Sequence, residues 1–256
     1  MLDLLTQNLS RFSESNESDK AGVYHALGML VELTWVNHTD TNFKAVLENL
    51  ASQQSISDKI AQQTPVMSWL LERIKIRESP VTQNKQYAAE VLAILLQSSV
   101  ANRKRLVDIG GVDTLLQLLS SYRKRDPLRG SEEEEFVENV FDCLTCVVHE
   151  AEGKHKFVEA EGVELCLIML REGKMSKPRA LRLLDHAVGG SDGIAVCERL
   201  VEAAGLKTIF SMFMKKVSKP IATPNLSDSM TARQQNDGAF AGGFRGAFAC
   251  LAGQFS

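Results

Sequence analysis

The sequence predicts an all-α protein whose helices stack as a solenoid of like repeats. Three observations predict it. The first is a recurring break: "RLVDIGGVDTLLQLL" (105–119), "KFVEAEGVELCLIML" (156–170) and "RLVEAAGLKTIFSMF" (199–213) each run helically to a glycine and restart at once as an apolar helix. The second is a weaker copy, "KIAQQTPVMSWLLER" (59–73), with Pro65 where the others carry Gly. The third is the spacing. The apolar residue after the break falls at Val66, Val112, Val163 and Leu206, at intervals of 46, 51 and 43 residues. A helical period in the forties is the signature of armadillo- or HEAT-type repeats, each unable to bury its apolar face alone. The expected architecture is a right-handed armadillo-type α-α superhelix. Glycine at the break is expected to take the left-handed conformation that ends one helix and lets the next begin close by.

Taken along the chain, each repeat reads as a short helix, the break, a second helix, a loop and a longer third helix. Second helices are expected at about 66–77, 112–124, 163–173 and 206–216, and third helices at about 21–36, 82–97, 132–149 and 177–189. No stretch reads as a sheet. Thr82 and Ser131 stand where N-caps belong, and Glu134 follows Ser131 by three residues as in a capping box. Pro178 falls in a first helical turn, where its missing N–H costs nothing. Loops fall at "ESPVT", "KRDPLRGS" and "GGSDG". The repeat array is expected over 1–216, as four to five repeats incomplete at both ends. Residues 217–238 read as a flexible linker, and 239–256 as an atypical Gly/Phe-rich tail forming at most a weak helix, because each glycine costs a helix about 1 kcal/mol relative to Ala. This unusual tail, and the lack of polar capping repeats at either end, read as those of a fragment of a longer protein.

Composition bounds the function. Hydrophobic residues make up 44% of the 256, enough for a continuous core, and aromatics only 6%, as expected where helix packs on helix. The formal net charge of −3 argues against a general nucleic-acid binder. Five cysteines without a framework read as buried thiols in a reducing compartment. There is no apolar run of bilayer length and no basic region before the first apolar segment, so neither a membrane span nor a signal peptide is expected.

In a solenoid of this kind the third helices line the inner wall. Steps of three and four place Gln86, Glu90 and Gln97 on one face of the first such helix, Glu134, Glu138, Asp142, Thr145 and His149 on the next, and Arg179, Arg182, Asp185 and His186 on the last. The opposite faces (Ala89, Leu92, Leu96; Val140, Leu144, Val147; Leu181, Leu184) are the expected core. The wall thus reads as acidic over 134–142 and mixed over 179–186. The candidate partner-binding residues are Glu90, Glu134, Glu138, Asp142, Arg182, Asp185 and His186. The acidic run "SEEEE" (131–135) is also what a helix N-terminus favours.

No catalytic constellation is legible. "CLTC" (143–146) lacks the second pair that zinc requires and lies beside core positions. His149 and His155 fall nearby, across a loop, and with the two cysteines would be the one metal set to test. "GGSDG" (189–193) lacks the Lys-Ser/Thr of a phosphate loop. Asp185-His186 has no positioned nucleophile. No enzyme activity, cofactor or metal is expected.

Specific stretches carry a resemblance. "LDLLTQNLSRFSESN", "EVLAILLQSSVANRKRL", "FVEAEGVELCLIMLREGKMSKPRALRLLDHAVGG" and "LKTIFSMFMK" closely resemble the beta-catenin-like protein 1 family, with gaps from about Leu2 to Lys216 and most densely over 155–216. "MLREGKMSKPRALRLLDHA" is the most specific segment, since generic armadillo repeats do not share it. Divergence elsewhere points to a distant, fungal-type homologue or a fragment of one. The resemblance implies a nuclear armadillo-repeat scaffold associated with the spliceosome. Members are similar to adaptors of the nineteen complex that bind basic, nuclear-localisation-like segments of splicing factors, with no direct nucleic-acid or membrane contact; self-association is left open. The alternative is a general nuclear-localisation-sequence adaptor of importin type. Its Asn ladder and supporting Trp residues are missing: the matching positions hold Ile94 or Leu95, Thr145 or Cys146, and His186.

Overall fold

A computed structural model describes residues 2–12, 15–35, 58, 62, 64–173 and 175–217. Most of the linker expected at 217–238 and all of the tail expected at 239–256 lie outside these residues. The described residues form twelve α-helices and no strand: α1 (Leu2–Arg11), α2 (Glu17–Trp35), α3 (Val66–Lys75), α4 (Gln83–Ser98), α5 (Val100–Asp108), α6 (Gly111–Ser120), α7 (Glu132–Val147), α8 (Ala151–Glu159), α9 (Gly162–Glu172), α10 (Ser176–Val188), α11 (Ile194–Glu202) and α12 (Gly205–Val217). Helices α5, α6 and α7 form one repeat, and α8, α9 and α10 the next.

Like packs on like. First helices form the row α5–α8–α11, second helices the row α3–α6–α9–α12, and third helices the row α2–α4–α7–α10. This side-by-side stacking of equivalent helices is what makes a helical-repeat solenoid. The expected core faces of α4, α7 and α10 are buried, from Ala89, Leu92 and Leu96 to Leu181 and Leu184. Each fully buried Leu contributes roughly 1.5–3 kcal/mol, which fixes the register of the wall helices.

The caps form as the sequence requires. Thr82 accepts from the Lys85 N–H at 3.4 Å and Ser131 from the Glu134 N–H at 3.3 Å. The Glu134 carboxylate reaches back to the N–H of Gly130 at 2.6 Å, one residue earlier than the standard capping box. Helix α6 stops at Ser120, short of the expected 124, because Ser121 and Tyr122 donate to Leu118 and Leu119 in tighter turns.

The breaks obey a different rule from the expected one. At 110–111 the left-handed residue is Gly110, at φ 73°, as glycine's freedom allows. At the two later breaks it is a non-glycine, Glu161 (φ 58°) and Ala204 (φ 54°). The glycine that opens each second helix instead permits close approach. A Cβ on Gly111 would stand 2.5 Å from Leu106 Cγ, on Gly162 2.3 Å from a Phe157 ring carbon, and on Gly205 2.6 Å from Leu200 Cδ1.

Buried polar groups tie the repeats together. Asn102 donates to the Leu95 carbonyl at 2.9 Å, and Arg103 to the Leu96 carbonyl at 3.0 Å and to Glu150 at 2.8 Å, closing the end of α4 from the next repeat. Lys154 of α8 donates to the Gly189 carbonyl just past α10. Cys143, Cys146 and Cys166 are free thiols, the first and last of them buried. Among the described residues no helix is long and apolar enough to cross a membrane.

Candidate partner-binding surface

Helices α4, α7 and α10 lie next to one another in the row of third helices. The seven residues singled out in the sequence all sit on these helices, in different circumstances. Glu90 on α4 is half-buried and accepts from Gln86 at 3.0 Å. One turn earlier Tyr87 stacks on Tyr24 of α2, ring centres 5.3 Å apart. Glu134 is committed to its capping contact with Gly130.

Between α7 and α10 the acidic and basic stretches meet. Glu138, exposed on α7, forms an ion pair with Arg179 of α10. Arg179 also donates to the Met175 carbonyl at 3.2 Å. A small cavity of about 210 Å³ opens here, lined by Glu138, Phe141, Asp142, Thr145, Arg179 and Arg182. Asp142 is half-buried. Burial raises its pKa above the ordinary carboxylate value, and the charge of Arg182 only partly opposes this. The wall here is therefore a meeting of opposite charges, not the separate acidic and mixed zones read from the sequence. Glu90 lies outside this cavity. Thr145 is turned to its own helix, donating to the Phe141 carbonyl at 2.9 Å.

Further along, His149 and His186 face each other across the same seam, ring centres 4.8 Å apart. His149 Nδ1 lies 2.7 Å from the Thr145 carbonyl oxygen. His186 is half-buried, and burial lowers its pKa, helped by His149 and Arg182. Asp185 is half-buried beside it.

Sequence reasoning gave Arg179 a place on the polar face but no role as the partner of Glu138. Forty-one positions separate the two in the chain, and only stacking of successive repeats brings them together. It missed altogether a larger cleft at the loop end of α3, α4, α6 and α7, lined among others by Lys85 and Arg77. One signal was present: Lys85 falls in register with Ala89, Leu92 and Leu96, a lysine at a core position.

The four residues considered for a metal are not brought together as a set. Cys143 is buried, with Sγ 3.9 Å from the Ala89 carbonyl oxygen, and its thiol pKa is pushed well up. Burial likewise pushes the Cys146 thiol up to about 11. His155 faces Glu159 at 3.2 Å instead. Among the described residues no group of three His, Cys, Asp or Glu side chains could hold a metal ion. In the acidic run at the start of α7, Glu133 is occupied: it accepts from the Tyr122 hydroxyl at 3.0 Å and pairs with Arg125.

Comparison with known proteins gives a consistent result. The family model described as "Catenin-beta-like, Arm-motif containing nuclear" matches residues 1–234. The beta-catenin-like protein 1 homolog of Schizosaccharomyces pombe is 40% identical over 216 residues, which are 84% of this chain and 35% of that protein. Beta-catenin-like protein 1 of Homo sapiens and of Mus musculus are each 38% identical over 216 residues, with the same coverage. The chain thus spans about a third of the length of these relatives, at 35%. Among solved structures, an engineered protein matches with a TM-score of 0.53 at 18% identity, over 94% of this chain and 97% of that one. That likeness concerns the fold alone.

Proposed function

Because the chain belongs to the catenin-beta-like, Arm-motif-containing nuclear family, we propose that it is a non-enzymatic protein-interaction scaffold of the nucleus, associated with the spliceosome through the nineteen complex. Its inner wall of α4, α7 and α10 takes a basic segment of a splicing factor. The observation that carries this reading is the seam between α7 and α10. Asp142 is desolvated there beyond what Arg182 offsets, so an incoming Lys or Arg gains more than it would from a fully solvated carboxylate. Glu138 exchanges its contact with Arg179 for one with the partner, while Glu90 and Asp185 extend the acidic line on either side. Individual exposed pairs are worth only about 0–1 kcal/mol, so affinity is a sum over several and weakens with salt.

The importin-type alternative is less well supported. Such a grip needs free side-chain amides on the third helices, and the corresponding positions hold Thr145, spent on its own helix, and His186, whose ring packs at a tilt against that of His149. The test is a basic splicing-factor peptide titrated against the chain and against the double variant Glu138→Lys, Asp142→Lys. Affinity is expected to fall at least tenfold in the variant. Unchanged affinity, with helicity intact by circular dichroism, refutes the groove.

A further inference from the structure

The cleft of about 880 Å³ at the loop end of the array lies between two successive repeats. It is bounded by the end of α3, the loop 76–82, the start of α4, the face of α6, Tyr122 and the start of α7. It shares no residue with the cavity between α7 and α10. Four cations line it, Lys75, Arg77, Lys85 and Arg125, against two carboxylates, Glu78 and Glu133.

The carboxylates are already satisfied. Glu78 pairs with buried Arg73 at 2.9 Å and accepts from the Thr82 hydroxyl at 2.7 Å. Glu133 is held by Arg125 and the Tyr122 hydroxyl. Lys75 pairs with Glu72 at 2.6 Å. Two cations remain. Arg77 is exposed and forms no ion pair among the described residues. Lys85 is only 5% exposed, yet among the described residues it too has no carboxylate partner. Its ammonium donates to the Ile76 carbonyl at 2.6 Å and lies 4.9 Å from the centre of the Phe136 ring.

An ammonium has three donors, and a carbonyl with a ring face does not neutralise it. Burying it so is costly unless an anion completes the site. Burial, aided by the nearby charge of Arg73, lowers the lysine's pKa despite the charges of Glu78 and Glu133. Val81 and Leu118 line the same cleft and supply apolar contact for the stem of an incoming side chain.

We propose that this cleft is a second docking site, which receives an acidic segment of a partner protein by seating one oxyanion, a phosphoserine phosphate or a glutamate carboxylate, on Lys85 and Arg77. The choice of a protein partner rests on the scaffold reading above; the anion chemistry rests on the cleft alone. The array then carries two sites of opposite preference, one on the inner wall for cations and one on the rim for an anion.

Three pools of degenerate nine-residue peptides test this, with serine, phosphoserine or glutamate at the centre, equilibrated with the full chain. At least one anionic pool is expected to be retained about tenfold over the serine pool, and the preferred pool identifies the source of the anion. Lys85→Met keeps the apolar stem and removes the charge, and Arg77→Glu changes an exposed side chain that makes no ion pair among the described residues. Either substitution is expected to bring retention down to the serine level. A basic peptide measured in parallel reports on the inner wall, so loss of one kind of binding without the other separates the two readings. Equal retention of all pools overturns the proposal, as does a preference that survives Arg77→Glu or selective retention of a single-stranded RNA oligomer instead of the peptides.

Discussion

The turns between first and second helices and the seam between α7 and α10 are built under opposite constraints. At the turns, backbone meets side chain at distances that leave no room: Gly162 opens α9 directly against the fully buried Phe157 ring. At the seam, long side chains meet across partly solvated space, where Glu138 and Arg179 can re-pair without moving a helix. Stability is concentrated in the first region and adaptability in the second. The proposed scaffold role needs both: a wall that holds its curvature and surface charges that can exchange.

The contrast can be broken most forcefully at the turns. Gly162→Ala drives a methyl into Phe157 and is expected to cost about 2–3 kcal/mol, read as a fall in the denaturation midpoint. Gly28→Ala in α2, where a Cβ meets nothing within 4 Å, is the matched control and is expected to gain up to about 1 kcal/mol. A Gly162→Ala variant as stable as the parent would remove the distinction between the regions.

At the seam the expected effects are smaller. Arg179→Glu places two carboxylates where an ion pair stood. Both groups are partly solvated, so it is expected to cost no more than about 1 kcal/mol while strengthening binding of a basic peptide. A loss comparable to that at the turns would mean that the seam is part of the rigid framework.

The smallest effects sharpen the picture. Glu161 holds a left-handed conformation that costs an L-residue roughly 1–2 kcal/mol, so Glu161→Gly is expected to gain about 0.5 kcal/mol after glycine's greater unfolded-state freedom is subtracted. His186 has a folded-state pKa below its unfolded value of 6.5. The unfolded chain therefore takes up that proton first, and stability falls as pH drops through and below 6.5 toward the folded pKa. His186→Gln is expected to flatten this part of the pH profile, read by thermal unfolding at a series of pH values.

What the sequence conveyed follows the same division. Helix positions, the caps at Thr82 and Ser131 and the core faces of α4, α7 and α10 depend on neighbours within a turn or two, so their pattern is local. The breaks were legible as breaks, but their mechanism was not. "EAEG" and "EAAG" carry no mark that Glu161 and Ala204, and not the glycine after them, take the left-handed turn. The pairing of Glu138 with Arg179 depends on the offset between repeats, which a 51-residue and a 43-residue interval do not specify. Lys85 was visible as an anomaly in an apolar register, but its cleft requires α6 and α7 to be in place.

The central claim is that the wall formed by α4, α7 and α10 is where partners bind. A photo-crosslinking residue placed at Gln97 on the wall, compared with one at Glu198 on α11 and carried out in nuclear extract, tests it most directly. The account predicts crosslinks to a basic segment of a splicing factor from position 97 and none from 198. Crosslinks from 198 alone, or to the same protein from both positions alike, would contradict it.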